Sequence, residues 1–146
     1  MAAKLVLDIT AMQEDFFADS ALIGIACSLP GYRFCGLLNK QFDLDFVRDP
    51  NQEVSLQPTP DKKYFFSVYQ FLLSFSNSRH ILYKLKNDTE SLLPEIKRLD
   101  YLWLIQTSTA QKDAQQNIRR LRQINQVQLA QILQPEKLKN LNNLII

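Results

Sequence analysis

The sequence predicts an α+β fold, and three observations lead to that class. Two segments carry apolar residues at helical spacing, and each lies between segments with the shorter period of a strand. Between these units, two strand-like segments flank a turn, as in a hairpin. With 146 residues and 46% hydrophobic content, the chain suits one domain, residues 1–146, with a proper core.

The first unit begins after an extra strand over residues 4–9, followed by an acidic, turn-like segment. A buried strand is predicted over residues 21–27. Ser28 can cap the following helix, with Pro30 in its first turn. That helix has an apolar stripe at helical spacing, made of Phe34, Leu37, Leu38 and Phe42. A third strand then begins at Leu44 and Phe46, which completes a βαβ unit with a right-handed crossover.

Residues 49–63 contain Pro50, Pro58 and Pro60 among polar side chains. Proline removes a backbone donor and fixes φ, so this density argues against any strand or ordinary helix. We expect a mobile loop here.

The hairpin follows, with a strand over residues 64–71, a turn at 76–78 and a strand over 79–86. Aromatic and β-branched content favours strand over helix in the first of these. Alternation in the second points Ile81, Tyr83 and Leu85 inward and leaves His80 on the solvent side.

Residues 93–105 are the stretch around which the chain is organised. Pro94 starts a short corner helix, and Glu95 lies in its first turn. A strand follows, with Tyr101 and Trp103 on one face and Leu102 on the other, so both faces are expected to be covered. We expect a structural corner, in which Glu95 accepts hydrogen bonds and Asp100 caps backbone N–H groups through a local turn.

The second unit closes the chain. Ser108 or Thr109 caps a helix over residues 110–124, and a strand follows around 127–133. Pro135 opens a short helix, and residues 140–146 are expected to form a frayed tail. The order fits a ferredoxin-like βαβ–hairpin–βαβ sandwich with the extra strand and the corner helix. The alternative is another α+β sheet with helices on one face.

The central stretch also resembles a known family. Leu93, Pro94 and Glu95, then three residues, then Leu99, Asp100 and Tyr101 are similar to the signature of the IPExxxVDY family of small bacterial proteins. Leu93 and Leu99 replace the family's isoleucine and valine. Further similar pieces are Leu22 to Ile25, Gly31 to Cys35, and Gln134 to Lys139. The resemblance implies one ordered domain in a bacterial cytoplasm, and no substrate, cofactor or catalytic residue.

Composition limits the chemistry. Cys27, Cys35 and His80 do not show zinc spacing, so we expect no metal, no cofactor and two reduced, buried thiols. The start of the chain has no signal-peptide pattern, and no apolar run reaches the length of a membrane span. A cytoplasmic protein without a membrane partner is expected.

Glu95 and Asp100 are the first candidates for paired carboxylates, but their spacing does not fix a distance, and acid–base catalysis needs positioned groups. The glycines form no phosphate loop, and no nucleophile elbow is present. We therefore predict no catalytic residues, and keep a small-molecule sensor or enzyme as a further alternative.

Charge separates the halves of the chain. Residues 1–73 carry six basic and nine acidic side chains, whereas residues 74–146 carry eleven and six. Arg119, Arg120 and Arg122 cluster on the second helix, and Arg33 is a separate candidate anion contact. An RNA-binding domain using this helix is an alternative hypothesis, although the aromatic ribonucleoprotein motif is missing.

The main hypothesis is a non-enzymatic interaction or regulatory domain. It binds a protein partner or a second copy of itself through a sheet face or edge. The candidate interaction or structural motif consists of Pro94, Glu95, Asp100, Tyr101 and Trp103.

Overall fold

The computed structural model describes residues 16–73, 78–87 and 90–145, and within them the chain is an α+β protein, as predicted. The strands in chain order are β1 (Ser20–Cys27), β2 (Val47–Arg48), β3 (Val54–Thr59), β4 (Lys62–Phe66), β5 (Val68–Leu73), β6 (Ser78–Lys84), β7 (Lys86–Asn87), β8 (Glu90–Ser91), β9 (Tyr101–Gln106) and β10 (Val127–Leu133). The two described helices of regular length are α1 (Gly31–Phe42) and α2 (Ala110–Leu121).

The main sheet has the order β10-β1-β9-β6-β5-β2, and every neighbouring pair in it is antiparallel. It follows that β1 and β2 are parallel to each other, with three strands between them. Strands β9 and β10 are also parallel to each other, with β1 between them. Both helices thus connect parallel strands that are not neighbours. The predicted hairpin is confirmed as the pair β5 and β6.

One face of the sheet, which we call the helix face, packs against α1 and α2. The predicted stripes supply this layer: Phe34, Leu38 and Phe42 from α1 are buried, and Leu37 is half-buried. From α2, the buried residues are Ala110, Ala114, Ile118 and Leu121. The described helices include none that is long and apolar enough to cross a membrane.

The opposite face, which we call the tail face, is covered as well. Its apolar cluster joins sheet residues such as Leu22 and Leu104 to Val54 and Phe66 from the hairpin β3–β4. Residues 92–99 and the C-terminal segment complete the cover, with Leu99 and Leu144 buried in the same cluster. Because layers lie on both sides, β9 is buried from Tyr101 to Ile105, as the two apolar faces of this segment predicted.

The prediction that no strand forms in residues 49–63 is wrong. Pro50 begins a one-turn 3-10 helix, and β3 then pairs with β4 across a turn at Pro60 and Asp61. Pro58 is tolerated because it lies in the register irregularity between Leu56 and Thr59, where the β3–β4 ladder is interrupted. The predicted strand over residues 64–71 is correspondingly divided into β4 and β5, with Ser67 between them.

The expected frayed tail is instead packed against the tail face. The 3-10 helix Leu141–Leu144 buries Leu144 completely, and the Tyr83 hydroxyl donates a 2.5 Å hydrogen bond to the Leu144 carbonyl. The Asn143 side chain also donates to the Leu92 carbonyl at 3.0 Å. Apolar residues near the terminus had a place in the core that the sequence pattern did not reveal.

Several local predictions need correction or lie outside the described residues. Neither Ser28 nor Thr109 makes a side-chain cap: Pro30 precedes α1, and α2 ends at Leu121 rather than at residue 124. The third strand was predicted to begin at Leu44 and Phe46, but only the two-residue strand β2 forms, and Phe46 packs into the core before it. The predicted strand over residues 4–9, and positions 76 and 77 of the turn, lie outside the described residues.

Gly24 on β1 provides a test of how tightly the tail face is packed. A methyl group at this position would overlap Leu99 Cδ1 and lie 3.1 Å from Leu133 Cδ1, and both leucines are buried. Gly24→Ala should therefore lower the free energy of unfolding by about 1–3 kcal/mol through overpacking. Urea unfolding followed by circular dichroism measures this.

Gly36 is the matched control for that substitution. It lies in α1 with no atom within 4 Å of an added methyl group, so Gly36→Ala should stabilise the protein by about 0.5–1 kcal/mol. Equal effects of the two alanines would contradict the packing described for Gly24.

Candidate functional site

The corner before β9 is where the chain's separate motifs meet. Pro94–Ile96 forms one 3-10 turn, because Pro94 fixes its own φ and holds Leu93 in a non-helical conformation. Leu92 and Leu93 are fully buried before it, and Leu99 is buried after it. The turn is thus anchored on both sides, and Lys97 and Arg98, which follow it, are exposed.

Glu95 ties the corner to the C-terminal segment. Its carboxylate accepts hydrogen bonds from the Asn140 backbone N–H at 3.0 Å and from the Asn140 side chain at 2.7 Å. Burial alone would raise the pKa of this carboxyl, but the hydrogen bonds outweigh burial and hold the pKa below its ordinary value. Glu95 therefore accepts hydrogen bonds, as expected, and serves as an ionised anchor.

Asp100 ties the corner to the end of β1. Its Oδ2 accepts a hydrogen bond from the Cys27 backbone N–H at 2.8 Å, and its Oδ1 lies 3.0 Å from Lys86 Nζ. The sequence predicted a backbone N–H partner within a local turn. The partner is instead 73 residues away, because β1 and β9 are neighbours in the sheet.

Tyr101 extends the same connection to the start of α1. Its hydroxyl donates to the Leu29 carbonyl at 2.5 Å, and its ring lies 4.4 Å from that of Phe34. Burial raises the pKa of this phenol, so it stays protonated and keeps its donor.

Loss of the Asp100 side chain should destabilise the fold. Asp100→Ala leaves the Cys27 N–H without its acceptor, which costs about 1–3 kcal/mol for a buried donor. Lys86→Gln, which removes only the half-exposed ion pair, should cost about 1 kcal/mol or less. Thermal melts of both variants make the comparison, and a wild-type melting temperature for Asp100→Ala would contradict the structural role.

These contacts bring together the four sequence pieces that carry the family resemblance. Gly24 lies under Leu99, Asp100 holds Cys27, Tyr101 packs on Phe34, and Glu95 binds the residue that follows Lys139. The polar side chains of the motif, Glu95, Asp100 and Tyr101, are therefore engaged within the molecule.

A cavity of about 360 Å³ opens beside this corner, within the range of ligand pockets. We call it the corner groove, and it is lined by Pro94, Glu95, Ile96, Lys97, Arg98, Leu99, Leu129 and Gln131. Its outer wall is β10, an edge strand of the sheet. No local sequence pattern indicated Leu129 and Gln131 as site residues, since only the β1–β10 pairing brings them to the corner.

Trp103 lies apart from the groove, on the helix face. It is fully buried and packs edge-on against Phe42 and Phe46, with centroid distances of 5.4 and 5.7 Å. Its indole N–H donates to His80 Nδ1 at 3.1 Å. Trp103 is thus a core residue rather than part of a surface site.

The predicted solvent position of His80 is wrong. Only 9% of its surface is exposed, and its ring stacks on Phe71 at 4.5 Å with a 6° angle between the planes. Burial lowers the pKa of this imidazole to about 4, although Asp113 acts in the opposite direction. Alternation did not predict this position because β6 is covered on both faces, so side chains directed to either face are buried.

The basic cluster of α2 is largely engaged within the molecule. The Arg120 guanidinium lies 4.2 Å above the Phe42 ring and donates to the Gln41 carbonyl. Arg122 donates two hydrogen bonds to the Ala130 carbonyl, at 3.1 and 3.2 Å. Within the described part of the chain, Arg33 and Arg119 are exposed and make no such contact. Both faces of the described six-stranded sheet are covered, and its residues Tyr83, Tyr101 and Trp103 are buried.

Arg122 protects the β10 edge of the sheet that the structure describes. Ile25, opposite Ala130, directs its carbonyl toward β9, where it accepts from the Asp100 N–H. The Ala130 carbonyl therefore faces away from β1, and the Arg122 guanidinium occupies it. A charged side chain at this position opposes strand pairing between copies of the chain.

Removal of this protection should promote self-association. We expect Arg122→Gln to shift sedimentation velocity profiles toward larger species at high protein concentration, whereas Arg119→Gln should behave as wild type. A monomeric Arg122→Gln variant, or equal association of both variants, would contradict the protective role.

The two thiols show no arrangement for reactivity. Cys27 and Cys35 are free and buried, and burial raises the pKa of Cys35 to about 11, which favours the neutral thiol. Across the described residues, no three His, Cys, Asp or Glu side chains are grouped as metal ligands.

Comparisons of the chain with family models, with curated proteins and with solved structures gave no match.

Proposed function

We propose that this protein is a non-enzymatic interaction domain and that the corner groove is its binding site for a protein partner. The observation that carries the proposal is the composition of the groove. Apolar side chains line the groove together with two exposed cations, Lys97 and Arg98, beside the edge strand β10. Apolar side chains combined with a few charged and polar groups in one concave surface are typical of recognition sites.

A binding role is favoured over catalysis because the candidate catalytic groups serve the fold. Glu95 and Asp100 accept hydrogen bonds from distant backbone groups, and His80 is buried against aromatic rings. Acid–base catalysis needs a side chain that reaches the substrate, and the pKa of that side chain must lie near the working pH. The groups described above are directed into the protein instead.

The ferredoxin-like assignment is part of this proposal. The order β10-β1-β9-β6, with helices between β1 and β2 and between β9 and β10, supports a ferredoxin-like core. In this interpretation β5 and β2 extend the sheet beyond β6. We further propose membership of the IPExxxVDY family and a location in a bacterial cytoplasm, supported by the meeting of the four motif pieces at one corner.

Site-specific photo-crosslinking in the source cells tests the proposal. A photoreactive amino acid replaces Gln131, an exposed residue that lines the groove. The control replaces Gln116, an exposed residue of α2 on the other side of the sheet. A discrete crosslinked protein at position 131, with none at 116, is expected.

Equal crosslinking at both positions would contradict the groove as the binding site, and so would crosslinks at position 116 alone. Crosslinks from position 131 to another copy of this chain would show that the groove is a homodimer contact and not the binding site for a different protein. The absence of crosslinks at position 131 would argue against an interaction domain of this kind.

A further inference from the structure

The groove carries positive charge that the protein does not neutralise. Lys97 and Arg98 are exposed and, among the described residues, have neither an ion-pair partner nor a hydrogen-bond acceptor. Glu95 and Asp100 are the acids closest to them in the sequence. The Glu95 carboxylate accepts from Asn140, and the Asp100 carboxylate accepts from the Cys27 N–H and pairs with Lys86. Two cations on a rim of this kind attract an anionic ligand.

The groove also offers apolar contact at the same place. Leu129 from the edge strand remains 40% exposed, and Pro94 is exposed at the opposite wall. An ordinary anion such as phosphate would leave these groups unused. The ligand that satisfies both features carries acidic and apolar groups close together.

The side chain of Gln131 adds a polar contact between these features. It lines the groove from β10, and its amide can donate to a carbonyl and accept from an N–H. A peptide main chain presents both groups at regular spacing, whereas a small carboxylate does not.

We propose that the corner groove binds an extended, acidic segment of a partner protein, in which acidic residues contact Lys97 and Arg98 and an apolar residue packs on Leu129. This inference rests on the proposed function and specifies its ligand. Charge complementarity with the two unpaired cations selects this occupant over a basic segment or a second copy of the edge strand, which Arg122 opposes.

Fluorescence polarisation with synthetic peptides tests the ligand class. The probe is a short labelled peptide that alternates leucine and glutamate, and its control alternates leucine and lysine. We expect the acidic peptide to bind at least about tenfold more tightly than the basic one. Its affinity should fall as salt is raised, because exposed charges are screened.

Matched variants assign the binding to the groove. The double variant Lys97→Gln with Arg98→Gln should lose about tenfold in affinity for the acidic peptide. Arg33→Gln with Lys40→Gln removes the same charge from exposed positions of α1 and should bind within about twofold of wild type. Leu129→Ser should also weaken binding, which a purely electrostatic contact would not predict.

Equal binding of the two peptides would overturn the proposal, and so would undiminished binding by the groove variant. If the protein binds single-stranded RNA but no peptide, and the groove variant loses this RNA binding, then the ligand of the groove is a nucleic acid and the proposed peptide ligand is wrong. If position 131 crosslinks to a protein while the acidic peptide does not bind, the interaction domain stands and the ligand class is wrong.

Discussion

Trp103→Ala should lower the free energy of unfolding by about 3–5 kcal/mol, the range for removal of a large aromatic side chain from a core. The indole is fully buried and is enclosed by the Phe42 and Phe46 rings on the helix face. Alanine removes these contacts and leaves a cavity between α1 and the sheet. It also leaves His80 Nδ1 without the donor that it has in the native protein.

Urea unfolding followed by far-ultraviolet circular dichroism measures the effect, since the variant lacks the chain's single tryptophan as a fluorophore. Trp103→Phe retains much of the ring packing but not the N–H, so its cost should be clearly smaller. If the alanine variant unfolds at nearly the wild-type urea concentration, Trp103 does not hold the helix layer on the sheet.

The sequence was sufficient for the parts of the fold that depend on local pattern. The stripe of Ala114, Ile118 and Leu121 predicted α2, because residues three and four apart share one helix face. The unbroken apolar run around Trp103 predicted a strand covered on both faces. These features are set by residues within a few positions of one another.

Features that depend on distant partners were not predictable in the same way. The positions of Leu129 and Gln131 follow from the antiparallel register between β1 and β10, which no local pattern contains. Leu144 has a buried site because the tail returns to Tyr83, 61 residues away. The wrong placement of His80 has the same origin, since a polar residue in an alternating strand normally faces water.

The corner illustrates how a structural role and a proposed binding role can fall on different side chains of one turn. The polar side chains of the motif are engaged in anchoring three distant segments, through Asn140, Cys27 and Leu29. The turn they hold in place presents the exposed cations between Glu95 and Leu99 to solvent. Substitutions of the anchors should therefore change stability, whereas substitutions of the cations should change binding.

Acidification should destabilise the protein through His80. The pKa of this imidazole is lowered from 6.5 to about 4 by burial, so the folded protein favours the neutral ring, which accepts the Trp103 N–H. Between pH 6.5 and 4 the unfolded chain binds a proton at His80 and the folded chain does not, so stability falls as pH falls. The free energy of unfolding falls by about 3 kcal/mol over this pH range.

The variant His80→Asn separates this contribution from that of the carboxylates, because the asparagine oxygen can accept from the indole N–H but does not titrate. Urea unfolding of both proteins at intervals from pH 7 to pH 4 gives the difference in stability. We expect wild type to lose about 3 kcal/mol more than the variant over this range, nearly all of it below pH 6.5. Glu95, whose pKa is also lowered, destabilises both proteins equally at the acidic end. Parallel stability curves for the two proteins would show that His80 is not held neutral in the fold.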